Sequence, residues 1–289
     1  MRSNQREDTT GELSLQPRSW YRAVPRGVAA VIVLLVLAGG LGAWRVSALA
    51  TSAATVSITV SPTVPAFTPR LVLAQPGQPI EFTNQTNQTV ELSGTPHAPR
   101  AVHYSVPSGG TVRFSLTTPG LYHFYDAATA RVIAYIGDND VVNSRPGALN
   151  ANLPSQGWIF VPGPAGVPLN AFIHVPKGND LLAVPAAVVQ VGGSVSFHNQ
   201  DTDAHNLVTD PADPSGVAFE LLGTDGEPSI HGAIRRISFT APGLYHIYCS
   251  IHTMVMGQVG NWQVVMPRDS SASGFVDRNP MEAWVLVVQ

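Results

Sequence analysis

The sequence predicts an all-β protein: two tandem Greek-key β-sandwiches behind an N-terminal transmembrane helix. Three observations carry that expectation. After residue 50 no long helical periodicity occurs, and short runs rich in Val, Ile, Phe and Thr are broken by "PG", "GG" and "DG" turn signals. A long stretch of the chain repeats itself. One uncharged apolar run, near the N-terminus, stands apart from the rest.

That run is "GVAAVIVLLVLAGGLGA", residues 27–43, preceded by Arg18, Arg22 and Arg26 and followed by Arg45. Its length is at the short end of what spans a bilayer. The basic flank is expected to keep residues 1–26 in the cytoplasm, so that the rest of the chain faces outward. The expected location is the cell membrane, single-pass, with the folded part extracytoplasmic. The "ALA" at 48–50 resembles a small-residue cleavage site, and cutting there would give a secreted protein. The polar lead and Arg45 favour the uncleaved anchor.

The repeat is clearest where "PGLYHFY" (119–125) matches "PGLYHIY" (242–248) at six of seven positions. Without a gap it continues as "DAATARVIAYIGDNDVV" (126–142) over "CSIHTMVMGQVGNWQVV" (249–265). Upstream, "QPGQPIEFTNQTNQTVEL" (75–92) lies over "QVGGSVSFHNQDTDAHNL" (190–207). The offset grows from 115 to 123, so the second copy holds the longer loop, within 208–232. Two copies of this spacing imply two β domains, 55–142 and 165–289, with a Pro/Gly/Asn-rich linker over 143–164. Alternation marks strands at "PIEFTNQ", "TVRFSLT" and "LYHFYD" in the first copy. In the second it marks "SVSFHNQ", "RRISFTA", "LYHIYC" and "WQVVMP", and the tail's "AWVLVV" offers one more. Short strands with turns between them suggest a sandwich or Greek-key barrel.

Composition excludes several functions. Formal net charge is −3 with no basic stripe, which argues against a nucleic-acid partner. The single cysteine, Cys249, excludes an intramolecular disulfide, a cysteine-rich zinc site and a two-thiolate copper centre.

Cys249 closes the predicted strand "GLYHIYC", and His252 follows it at C-x2-H spacing. His205 lies in the earlier "NQDTDAHNLV" loop, where Asn206 could brace the site. A methionine follows His252, either Met256 at H-x3-M or Met254 at H-x-M. Two imidazoles and a thiolate make a trigonal set, and a weak axial thioether completes a mononuclear copper site for electron transfer. Thiolate and thioether hold Cu(I), imidazole suits both oxidation states, and carboxylates would favour harder ions.

With "DAHNL" and "PGLYHIYCSIHTMVMG" in a β-rich context, residues 165–266 resemble the cupredoxins, the plastocyanin- and azurin-like blue copper proteins. Residues 55–142 join the resemblance through the repeat. It implies an eight-stranded Greek-key sandwich with one copper ion held by His205, Cys249, His252 and an axial methionine. Met256 satisfies the family's H-x3-M variant, whereas Met254 stands too close to His252. At the same places the first copy has Val90, Asp126, Thr129, Arg131 and Ile133, so it is expected to bind no copper there. His123 and His246 occur in both copies and read as structural. His97, His103, His174, His198 and His231 lack a partnered pattern.

The functional expectation is a membrane-tethered, type 1 copper protein that carries single electrons between a protein donor and acceptor. An alternative is copper storage or delivery, or an accessory subunit of a respiratory complex. An enzyme is not expected. Multicopper oxidases and copper nitrite reductases need further copper sites, but no H-x-H pair occurs and Cys249 is flanked by Tyr248 and Ser250.

Overall fold

A computed structural model describes residues 54–60, 67–96, 98, 102–136, 139–145, 154–178, 181–210, 232, 234–259, 262–268 and 279–289. The apolar run 27–43 and most of the longer loop of the second copy lie outside them. Among the described residues no helix is long and apolar enough to cross a membrane. Residues Thr51–Gln289 form one compact unit, and every regular element described in it is a strand.

The first half runs β1 (Val56–Val60), β2 (Phe67–Thr68), β3 (Leu71–Leu73), β4 (Pro79–Asn84), β5 (Val90–Gly94), β6 (His103–Val106), β7 (Thr111–Ser115) and β8 (Gly120–Asp126). The hairpin β9 (Ala130–Ile136) and β10 (Asn139–Ser144) follows, then β11 (Gln156–Val161). One sheet has the order β2-β1-β4-β7 and the other β3-β11-β8-β5-β6. In the second half come β12 (Asn170–Val175), β13 (Ala186–Gln190), β14 (Ser194–Asn199), β15 (Val208–Thr209), β16 (Ile234–Ser238) and β17 (Gly243–Tyr248). The hairpin β18 (Thr253–Val259) and β19 (Trp262–Pro267) precedes β20 (Glu282–Val288). Its sheets have the orders β12-β14-β16 and β13-β20-β17-β15.

Strand for strand, the repeat seen in the sequence is a repeat of topology. β3-β11-β8-β5 corresponds to β13-β20-β17-β15, and β1-β4-β7 to β12-β14-β16. Even the turns agree: Gly77 and Gly192 stand at equivalent positions with φ of 78° and 80°, which a side chain would strain. Gln156–Val161 lies within the segment read as linker, yet it is a full strand between β3 and β8.

Alternation explains which strands the sequence displayed. In β4, Ile80, Phe82 and Asn84 point inward and Glu81 and Thr83 do not; in β14, Val195, Phe197 and Asn199 do the same. These sheets bury one face only. Others bury both. From β20, Ala283, Val285 and Val287 enter the core of the second half, while Trp284 turns the opposite way. From β11, Ile159 and Val161 enter the first core, while Trp158 joins Trp284. A third cluster of Leu71, Trp158, Ala186, Val188 and Trp284 thus joins the halves. Strands buried on both faces read as continuous apolar runs, as "AWVLVV" does. Each fully buried aliphatic side chain contributes about 1.5–3 kcal/mol, offset by the entropy of ordering the chain.

Polar groups cross the same junction. Arg70 lies 5.7 Å above the Trp284 ring and 3.7 Å from Glu282. Glu282 binds His246 at 2.8 Å, and the other ring nitrogen of His246 meets Asp210 at 2.9 Å.

Candidate metal centre

β17 ends at Tyr248, and the chain then makes one tight turn before β18. Its closure is local. The Thr253 N–H and hydroxyl both donate to the Cys249 carbonyl, at 3.0 and 2.6 Å, while Arg268 donates to the Ser250 carbonyl. In such a turn residues three apart share a face. The C-x2-H spacing therefore brings Cys249 and His252 together, with Sγ 3.4 Å from the His252 Nδ1.

His205 arrives from another element. Asn199, at the end of β14, folds the loop: its Nδ2 donates to the Asp203 carbonyl at 3.0 Å and its Oδ1 accepts the Asp201 N–H at 2.9 Å. Asn84 does the same work in the first half, donating to the Gln88 carbonyl and accepting the Thr86 N–H. The loop delivers His205, fully buried, with Nδ1 3.1 Å from the His252 Nδ1 and 4.0 Å from the Cys249 Sγ.

Those three distances define a triangle whose circumcentre lies roughly 2.1 Å from each donor atom, about the length of a metal–nitrogen bond and a little short of a metal–sulfur bond. A borderline metal ion such as copper fits this donor set. Cys249 is fully buried and His252 half-buried, so the site opens on the imidazole side.

The surroundings orient the donors. Asp201 accepts from the His205 Nε2 at 3.2 Å, which places the ring proton there and leaves the Nδ1 lone pair facing the other two donors. Burial alone would raise the Asp201 carboxyl. The Gly178 and Thr202 N–H groups and the His205 ring outweigh it and hold it below the usual range. Asn206 braces the turn through Oδ1, which accepts the Ser250 and Ile251 N–H groups at 3.0 and 3.2 Å and lies 3.7 Å from the Cys249 sulfur.

The structure thus brings together His205, Cys249 and His252. Met256 stands on β18 rather than in the turn. It is the unpaired residue of a bulge between Val255 and Gly257, and is 58% exposed. Met254 is 37% exposed and pairs with Met266. Asp201 is the participant that sequence reasoning did not single out. "NQDTDAH" offers two carboxylates before the histidine, and only the folded loop selects one.

In the first half the equivalent place is closed by hydrogen bonds. Asp126, at the position of Cys249, accepts the Thr129 hydroxyl at 2.7 Å and the Glu91 N–H at 2.9 Å. Thr129 occupies the position of His252, and Glu91 that of Asn206. His123 and His246 are both buried at the junction of the halves and away from this turn.

No family model matches the chain, and no curated protein matches it. Solved structures do. A purple cupredoxin from Nitrosopumilus maritimus is 21% identical over 40% of this chain and 98% of its own, with a TM-score of 0.26. An oxidised amicyanin mutant is 17% identical over 40% of this chain and 80% of its own, at 0.27. A reduced amicyanin mutant is 20% identical over 40% and 79%, at 0.26. The structural neighbours are cupredoxins over two-fifths of the chain, and the capacity of the site to bind metal rests on its own geometry.

Proposed function

We propose that this chain is a membrane-tethered, extracytoplasmic type 1 copper protein that carries single electrons between redox partners. One observation carries the reading: two imidazole nitrogens and a cysteine sulfur, two of the three residues buried, converge in a triangle of metal-binding size. Copper bound there supplies one-electron chemistry. The chain's part is to hold the donors still. Asp201 fixes the His205 ring, and Asn206 with Thr253 fixes the turn that carries Cys249 and His252. Met256 is the proposed axial thioether, placed at a bulge, a feature that re-aims a side chain.

His252 is the half-buried donor, and its neighbours along the chain expose apolar side chains: Ile251, Met254, Val255 and Met256 are 37, 37, 46 and 58% exposed. Such apolar exposure suits brief docking of a protein electron donor and acceptor. The apolar run 27–43 is the proposed tether, and residues 55–142, whose equivalent site is closed by Asp126 and Thr129, a spacer or docking module.

The test is to add Cu(II) to the full chain and record visible and EPR spectra beside Cys249→Ala. An intense thiolate-to-copper band that vanishes in the variant supports the carrier. A colourless protein that takes up no copper at Cys249 sinks it. The exposed thioethers of Met254 and Met256 favour a second reading, copper storage or delivery, including service as an accessory subunit of a respiratory complex. Competition with a copper chelator separates the two, because a carrier retains its ion and a delivery protein yields it.

A further inference from the structure

His174 and His198 are distant in sequence, but they are register partners on the neighbouring parallel strands β12 and β14. Partners on adjacent strands project from the same face, with backbones about 4.8 Å apart. Here that face is the outer one. Ile173, Val175, Phe197 and Asn199, which alternate with the histidines, are buried, while both histidines are half-buried. Among the described residues no hydrogen bond or ion pair engages either ring. Phe172, 50% exposed, flanks both, with centroids 6.0 Å from His174 and 5.9 Å from His198. Burial, helped by the neighbouring His198, holds the His174 ring below its ordinary range, so its lone pair is free at neutral pH.

From this arrangement we propose that His174 and His198 form a second metal site, on the outer sheet, that takes Cu(II) as a two-imidazole chelate with water in the remaining positions. Imidazole is a good donor for the late divalent ions, and among these Cu(II) binds a given nitrogen site most strongly. The next register partner of His198 is Ile234, and that of Phe172 is Ser196, so no carboxylate in these register positions draws a harder ion. Arg236, two register positions from His198 on the alternating set, is turned away into hydrogen bonds with Ser194 and Asn170. The inference is independent of the reading given to Cys249, since the two sites share no residue.

The test is a Cu(II) titration of the full chain followed by EPR, in the wild type and in Cys249→Ala, each with and without His174→Ala or His198→Ala. The expected result is a second, axial Cu(II) signal with no thiolate band of its own, present beside the Cys249 centre in the wild type and alone in Cys249→Ala. Its affinity should fall about tenfold or more when either histidine is removed, because half of the protein donors are lost. Survival of the signal in both histidine variants overturns the proposal, as does a wild type that binds no Cu(II) beyond the Cys249 centre. Should a variant fold poorly, acylation of the two rings in the wild type decides, mapped by mass spectrometry. Protection of both by stoichiometric Cu(II) supports the site, and unaltered acylation refutes it.

Discussion

His123 and His246 hold the same place in the two halves, and their surroundings shift the two rings in opposite directions. Each pairs in register with a tryptophan and stacks on it: His123 on Trp158 at 4.8 Å, His246 on Trp284 at 4.2 Å. Their polar neighbours differ. Among the described residues His123 hydrogen-bonds the Gln156 amide at 2.8 Å, and burial outweighs that bond and the charge of Asp140 and pushes the ring down to about 4. For His246 burial acts the same way, but the Asp210 and Glu282 carboxylates overcome it and lift the ring to about 9.

Stability is therefore expected to peak near neutrality. Between about pH 6.5 and 4 the unfolded chain protonates at position 123 while the native ring resists, so stability falls with falling pH. Between about 6.5 and 9 the native His246 keeps a proton that the unfolded chain releases, so stability falls with rising pH. Each limb amounts to about 3 kcal/mol at most. Urea midpoints from pH 4 to 10 should trace a dome, and His246→Gln should flatten its alkaline side alone. A monotonic profile would contradict the assignment.

Arg70 is the cationic end of the buried chain Asp210–His246–Glu282–Arg70, and it comes from the other half. Its charge helps to hold the Glu282 carboxyl below the ordinary range against burial. Arg70→Ala strips that partner from a carboxylate only 5% exposed and removes the cation above Trp284. Glu282 keeps its His246 partner, so the expected loss is smaller than the roughly 3–5 kcal/mol of a buried charge left wholly unpaired, about 1–3 kcal/mol. Arg70→Ala with Glu282→Gln should recover part of it, which a double-mutant cycle in urea would measure.

Much of this architecture was legible because half-buried strands alternate. "PIEFTN" and "SVSFHN" announce β4 and β14, and the repeated "PGLYH" announces β8 and β17. β11 was not legible, since "QGWIFV" is buried on both faces and lies in a segment rich in turn formers. At the candidate metal centre the C-x2-H spacing pointed to Cys249 and His252, which one local turn brings together, and the repeat showed other residue types at the equivalent places of the first half. Asp201 depends on a loop fold set by Asn199, and the His174–His198 pair on strand register, neither of which a single sequence displays.

Asn206 holds two N–H groups of the turn that carries Cys249, and it is 4% exposed. Asn206→Ala leaves the Ser250 and Ile251 N–H groups without that acceptor. Each such group costs about 1–3 kcal/mol when it stays buried, and less where water reaches it. Ile251 is 37% exposed, so the expected loss is about 2 kcal/mol, read as a lower urea midpoint in metal-free protein. An unchanged midpoint would show that water replaces the side chain without cost.

Asp201 acts through His205, and its effect should appear in copper bound at the proposed site. Its carboxylate makes the ring a stronger donor and places negative charge behind it. The higher oxidation state gains more from that charge, so Asp201→Asn should weaken Cu(II) more than Cu(I). Loss of such an outer partner typically weakens a site by about 10–100-fold. If Cu(I) binding is unchanged, the potential should rise by about 60–120 mV, at 59 mV per tenfold for one electron. The amide still offers an acceptor to Nε2, so the geometry should survive while the charge is lost. Protein-film voltammetry beside Co(II) titration separates these effects. A raised potential with intact Co(II) spectra assigns the role to charge, whereas altered Co(II) spectra assign it to ring placement.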